Sequence, residues 1–177
     1  MKLLAFAASN STHSINKQLV TYAASLLGKT CQIEVLDLND FELPLFSEDK
    51  EKELGQPELA HSFLSKISNS DAVITSFAEH NGSYSVAYKN IFDWCSRITP
   101  KVFDSKPVIL LSTSPGARGG AMVMEIATKT MPRFGAQVKA SLSIPSFYEN
   151  FDPEKRCLKN KDLQQQLEAT VNCLLDE

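Results

Sequence analysis

Short apolar runs alternate along this chain with longer amphipathic segments, and no other feature constrains its fold so tightly. The runs are Lys2 to Ala8, Gln32 to Asp37, Ala72 to Phe77, Val108 to Leu111 and Gln137 to Ile144. Most are continuously apolar, as strands buried on both faces are. Between them apolar residues recur at helical spacing. Ile15, Leu19, Tyr22, Ala23 and Leu26 form a stripe within Ser14 to Leu27, with Gly28 expected at the C′ position. Leu59, Phe63, Leu64 and Ile67 follow Pro57, which suits a first helical turn. Val86 to Ile98 reads as a helix stopped before Pro100. Met122, Val123, Ile126, Ala127 and Met131 follow Gly119-Gly120, and Leu163, Leu167, Val171 and Leu174 align within Asp162 to Leu175. The connection from Leu38 to Gln56 holds the charged run Glu48 to Glu53, expected as a solvated loop or a short helix face.

Strands joined by crossover helices form a parallel sheet covered on both sides. Right-handed crossovers and two helix layers allow the order 2-1-3-4-5, so the expected fold is α/β, a flavodoxin-like three-layer sandwich around a five-stranded parallel sheet. At 177 residues the chain fits one domain, 1–177, large enough to bury a core without disulfides or metals. A net charge of -3 and a pI near 5.7 argue against a nucleic-acid partner, which requires a basic patch. No apolar run approaches a membrane span, and Leu3 to Ala8 is too short for a signal-peptide core, so no membrane partner and a cytoplasmic location are expected. Cys31, Cys95, Cys157 and Cys173 show no metal-ligand spacing and no disulfide framework; Cys95 is expected as a packed thiol.

In such a sheet, ligands collect outside the carboxyl ends of the strands, near the switch point between strands one and three. That rule singles out Ser9 to Asn16, Ala78 to Ser85 and Ser112 to Gly120. No G-x-x-x-x-G-K-[ST] and no G-x-G-x-x-G follows the first strand, which excludes a P-loop and disfavours a dinucleotide-type site. The first loop offers Ser9, Ser11, Thr12, Ser14 and Asn16 as donors to an anion at a helix N-terminus. Its cations are sparse: His13 lies within it and Lys17 one turn beyond. A plain helix cap at Ser14 is the competing reading. In the second loop His80, Asn81 and Tyr84 suit the edge of a heterocycle, and Gly82 permits close approach or positive φ. Phe92 and Trp94, downstream at helical spacing, fit the core. The third loop concentrates Gly116, Gly119 and Gly120 beside Arg118, where backbone amides can meet a flat polar ligand, although Pro115-Gly116 is also an ordinary turn.

These residues resemble the NAD(P)H-dependent FMN reductase family. Its G-S-x-R-x-x-S-x-N is similar to Ala8 through Asn16, matching at Ser9, Ser14 and Asn16, with Ala8 in place of glycine and Ser11 in place of arginine. Its P-E-Y-N-x-S-x-P…L-K-N-A-I-D-W matches at Glu79, Asn81, Ser83, Lys89, Asn90, Asp93 and Trp94, departing at Ala78, His80 and Ser85. The S-P-G-x-x-G-G turn stands at Ser114 to Gly120, and Asn39 to Leu45 is similar to the family's segment after strand two. The likeness runs from Lys2 to about Ile144.

The resemblance implies FMN as cofactor and NADPH or NADH as co-substrate. Ser9, Ser11, Ser14, Ile15 and Asn16 would surround the phosphate; Glu79, His80, Asn81, Gly82 and Ser83 would lie along the isoalloxazine; Ser114, Gly116 and Gly120 would contact its other side. It further implies hydride transfer to flavin and then to a small-molecule acceptor (flavin, quinone, azo compound or metal oxyanion), in a homodimer or homotetramer. No protein acid or base is required, so no catalytic residue is named. A flavodoxin-type electron carrier and a flavin-free scaffold protein are the alternatives.

Overall fold

The structure, a computed structural model, describes residues 1–175. Its central sheet is built from β1 (Lys2–Ala8), β2 (Gln32–Leu36), β3 (Ala72–Phe77), β4 (Pro107–Thr113) and β5 (Gln137–Ile144), all parallel and in the order β2-β1-β3-β4-β5. β1 and β3 fall on the runs read from the sequence, because both pack helices on their two faces and every interior position is apolar or small. β4 extends past the expected Leu111 to Thr113, since Ser112 and Thr113 still pair with Ser143 and Ile144. β2 is an edge strand, so Val35 stays exposed even though its apolar side chain suggested burial.

Alternate β1 residues divide the core. Leu4, Phe6 and Ala8 face one cluster; Leu3, Ala5 and Ala7 face the other. The first cluster is covered by α3 (Glu58–Ser68), α4 (Val86–Ile98) and α5 (Ala121–Thr130), the second by α1 (Ile15–Ser25) and α7 (Lys161–Asn172). A register shift between β4 and β5 skips Lys139, so Val138 packs on the first cluster while Ala140, Leu142 and Ile144 pack on the second.

Helix ends differ from expectation for local reasons. α1 stops at Ser25 and passes through a turn; Gly28 has no positive φ. Pro57 is the N-cap of α3 and not its first turn, and α7 ends at Asn172, short of Leu175. The charged run forms α2 (Glu48–Leu54), with no buried residue. The K-N-x-x-D-W helix α4 fastens the chain that follows β2. Asn90 Nδ2 donates to Leu43 O and Pro44 O, both at 3.1 Å, Asn90 Oδ1 accepts from Phe46 N at 2.8 Å, and Trp94 Nε1 donates to Pro44 O at 2.8 Å. Trp94 is fully buried and Phe92 packs edge-on to Phe134, as the core reading expected. Cys95 is buried, and desolvation pushes its thiol up to about 12, so it stays protonated and inert. Beyond β5 the chain forms α6 (Phe147–Asn150) and a two-residue ribbon pairing Phe151–Asp152 with Cys157–Leu158, none of it expected from the sequence.

Candidate functional site

The first loop turns β1 into α1 through short hydrogen-bonded steps. Ser9 Oγ accepts from Ser11 N at 3.2 Å, and Ser11 O accepts from Ser14 N at 3.1 Å. Ser14 is the N-cap, its Oγ accepting from Lys17 N at 3.1 Å, and Gln18 N reaches Ser14 O at 3.2 Å. Of the amides that a helix start leaves open, those of Ile15 and Asn16 have no acceptor among the described residues. The Asn16 side chain is not free. It is buried, with Nδ2 donating to Thr113 O at 3.1 Å and Oδ1 accepting from Thr113 N at 3.0 Å and Ser76 Oγ at 2.7 Å. It therefore ties α1 to the ends of β3 and β4, and only its backbone can serve a ligand. Lys17 is also engaged: its ammonium pairs with Asp37, whose carboxyl lies below the ordinary carboxylate value, chiefly through that bond and then through the Asn39 amide.

The second loop is a two-residue hairpin pairing Glu79–His80 with Ser83–Tyr84. Asn81 (φ 51) and Gly82 (φ 75) make its turn, the pairing that type I′ hairpins favour. The hairpin docks on α5 at three points. Glu79 Oε2 accepts from Met122 N at 2.9 Å and Val123 N at 3.0 Å, Tyr84 OH lies 3.0 Å from Thr130 Oγ1, and a Cβ on Gly82 would come within 2.8 Å of Met122 Cε. One oxygen of the Glu79 carboxylate thus caps α5. Ser85 anchors the hairpin's exit, donating to Ala8 O at 2.8 Å while capping α4.

The third loop is clamped to β5. Ser112 Oγ donates to Gly119 O at 2.8 Å, and Ser146 N and Phe147 N both reach loop carbonyls, Gly116 O and Ser114 O, at 3.0 Å. A Cβ on Gly119 would meet Ile144 O at 2.7 Å, so this glycine is required by backbone packing. Gly120 is buried in the left-handed region against Ser112 and serves the turn into α5. Gly116 differs: its missing side chain would meet only Ser114 Oγ, at 3.8 Å, so its Cα face lies open while its carbonyl accepts from Ser146 N and Gly119 N.

The three loops enclose a cleft of about 240 Å³ at the carboxyl edge of the sheet. Ser9, Ser11, Ser14, Ile15, Asn16, Glu79, His80 and Ser114 line it, as the sequence grouped them; Asn81, Gly82, Ser83, Gly116 and Gly120 stand outside its lining. His13, Ala78, Thr113, Pro115 and Tyr148 complete it. Tyr148 was not foreseen. It belongs to α6, beyond the fifth strand, where Phe147 buries itself and leaves its neighbour upright at the mouth; an aromatic pair at a strand's carboxyl end was the available signal. His80 borders both this cleft and a neighbouring cavity of about 380 Å³ between the segment after β2 and the start of α4.

Open helix amides, neutral hydroxyls and an exposed glycine turn suit an anion joined to a flat polar ring. A family model described as NADPH-dependent FMN reductase matches residues 1–149. The chain is 30% identical over 174 residues to an NAD(P)H-dependent FMN reductase of Pseudomonas aeruginosa, covering 96% of this chain and 92% of that protein. It is 32% identical over 123 residues to a 2-hydroxy-1,4-benzoquinone reductase of a Burkholderia species, covering 69% of this chain and 65% of that one. In fold it is similar to a solved flavoenzyme NAD(P)H:(acceptor) oxidoreductase of Paracoccus denitrificans, with a TM-score of 0.78 at 23% identity over 99% of this chain and 95% of that one.

Proposed function

The chain belongs to the NADPH-dependent FMN reductase family, and on that premise we propose that the cleft at the carboxyl edge of its sheet holds FMN and receives NAD(P)H and an electron acceptor in turn. The protein is an FMN-dependent enzyme with NAD(P)H as co-substrate. The observation that carries the site assignment is the pair of open α1 amides, Ile15 and Asn16, set among the hydroxyls of Ser9, Ser11 and Ser14. This donor set fits a terminal phosphate, to which the positive end of α1 adds a favourable potential.

FMN, when bound, supplies the redox chemistry, taking a hydride from the nicotinamide and giving electrons to the acceptor. The protein's part is placement. Ser9, Ser11, Ser14 and the Ile15 and Asn16 amides hold the phosphate. His80 would border the ring, with the hairpin turn of Asn81, Gly82 and Ser83 just outside the cleft's lining. Ser114 would approach its other side, with the exposed Cα face of Gly116 just beyond the lining, and Tyr148 narrows the mouth. Glu79, Gly120 and the Asn16 side chain hold these parts in register. With serine at position 11, the phosphate meets neutral donors and lacks a charge-assisted contact. A small quinone is the favoured acceptor class, with free flavin, azo compounds and metal oxyanions as the others; the Burkholderia relative's name supports the quinone.

A homodimer or homotetramer and a cytoplasmic location complete the reading. Leu45, Val86 and Tyr148 are 72%, 69% and 68% exposed beside the two cavities, which supports a second copy covering that edge. Among the described residues no helix is long and apolar enough to cross a membrane.

An absorbance spectrum and an anaerobic mixing experiment test the assignment. Purified protein given FMN should show bound-flavin bands that bleach on mixing with NADPH or NADH and return when a quinone is added. Bleaching only in the presence of a separate reductase would mark an electron carrier, and no FMN uptake would remove the flavin altogether.

A further inference from the structure

The hairpin that carries Glu79 and His80 to the cleft rests its turn on one side chain from the start of α5, Met122. A Cβ built on Gly82 would lie 2.8 Å from Met122 Cε and 3.3 Å from its Sδ, so the thioether occupies the space that glycine leaves. Gly82, without a side chain, presents only its Cα there, and the contact is apolar on both sides.

Met122 is also reachable from solvent. The chain has four methionines. Met124 and Met131 are 8% and 1% exposed and pack in the first core cluster, whereas Met122 is 47% exposed and Met1 40%. Met1 precedes β1, at the amino end of the sheet, while the cleft lies at the carboxyl edge. Met122 is therefore the one methionine that is both exposed and packed against a wall of the cleft.

We infer that Met122 is an oxidation site through which peroxide loosens the hairpin and weakens cofactor binding. The sulfur lone pair attacks one oxygen of hydrogen peroxide, the O–O bond breaks and water leaves. Sulfur is oxidised by two electrons to the sulfoxide as the peroxide is reduced. Hydrogen peroxide is what oxygen becomes on taking two electrons and two protons from a reduced flavin, so the proposed activity supplies the oxidant beside its target. The new S–O dipole needs a donor and finds none at the Gly82 Cα. The side chain turns toward water, and the hairpin turn loses its support. Glu79 Oε2 on the Met122 and Val123 amides, and Tyr84 OH beside Thr130 Oγ1, still hold the hairpin, so the effect is a graded weakening. The oxidant's source and the consequence for FMN rest on the flavin reading above; the oxidation and the loosening do not.

Treatment with hydrogen peroxide, then dithiothreitol to restore the thiols, tests it, read by peptide mass spectrometry and by FMN titration through flavin fluorescence. Met1 and Met122 should gain oxygen before Met124 and Met131, and FMN affinity should fall by about fivefold, the scale of one lost packing contact. Met122→Leu keeps an apolar side chain over Gly82 and cannot take the oxygen. Its affinity should survive the same treatment, although Met1 is oxidised as before. Equal losses in wild type and M122L overturn the inference, as does an affinity unchanged after full oxidation of Met122. So do oxidation of the buried methionines ahead of it and a loss that methionine sulfoxide reductases do not reverse. Untreated protein that takes up no FMN would count against the flavin reading instead. Hydrogen exchange over residues 79–84 of the flavin-free protein then decides: faster exchange after oxidation in wild type alone supports the inference, and unchanged exchange overturns it.

Discussion

Lys17 sits one turn into α1, close to the first loop, yet its ammonium pairs with Asp37, which also accepts from Asn39 N at 2.9 Å. The pair joins α1 to the turn after β2, and it leaves the loop with neutral donors. Its contribution to stability has a definite pH dependence. Because the folded-state Asp37 carboxyl lies below its unfolded value, the stabilisation is fully present above about pH 4 and is lost as pH falls through the lowered folded value. Both side chains are about a third exposed, so the contribution is at most about 1 kcal/mol. Asp37→Asn should lower the thermal midpoint at pH 7, and its gap to wild type should shrink as pH falls through the lowered carboxyl value; an undiminished gap in acid would show that the pair is not the cause. Spacing placed Lys17 near the loop, but its partner lies 20 residues away and only the fold brings it there.

The hairpin and α5 behave as one element at the site. Glu79 accepts two amides at the start of α5, Gly82 fits against Met122, and Tyr84 reaches Thr130. The hairpin's position therefore follows α5, whose own start is fixed by the Gly119-Gly120 turn against β5. Glu79→Ala should cost about 1 kcal/mol, as losing a helix cap does, and should weaken FMN binding several-fold. Glu79→Gln keeps an acceptor oxygen and should restore most of both. Thermal melts and quenching of flavin fluorescence measure the two effects; FMN binding untouched in the alanine variant would separate the hairpin from the cofactor. In the sequence Glu79 stood out as a ring contact through resemblance. In the fold one of its carboxylate oxygens also caps α5, because unpaired amides at a helix start attract an acceptor. Gly82 was legible as a place for positive φ or close approach, but the hairpin it turns was not, because its strands are two residues long.

At the scale of the whole molecule, the sheet order brings Ser9–Asn16, Ala78–Ser85 and Ser112–Gly120 to one edge, and that edge is also where large apolar side chains stay exposed. Val86, Leu45 and Tyr148 belong to three different connections and could not be recognised as neighbours from their positions in the chain. If a second copy covers them, sedimentation should report a dimer or larger assembly, and Val86→Glu should shift it toward monomer by burying a charge. A wild-type protein that sediments as a monomer at micromolar concentration would exclude that use of the edge.

The sequence by itself determined the parallel sheet, its strand order and the three loops that meet at its carboxyl edge, because apolar periodicity reports burial and burial dictates which faces must be covered. It also carried the motifs that tie the chain to its family. Tertiary structure alone decided which side chains remain available. Asn16, Glu79 and Gly120 hold the scaffold, Lys17 is paired, and Tyr148 stands open. The physical reason is that a polar group's availability depends on which distant donor or acceptor the fold sets against it, and that pairing leaves no local trace in the order of residues.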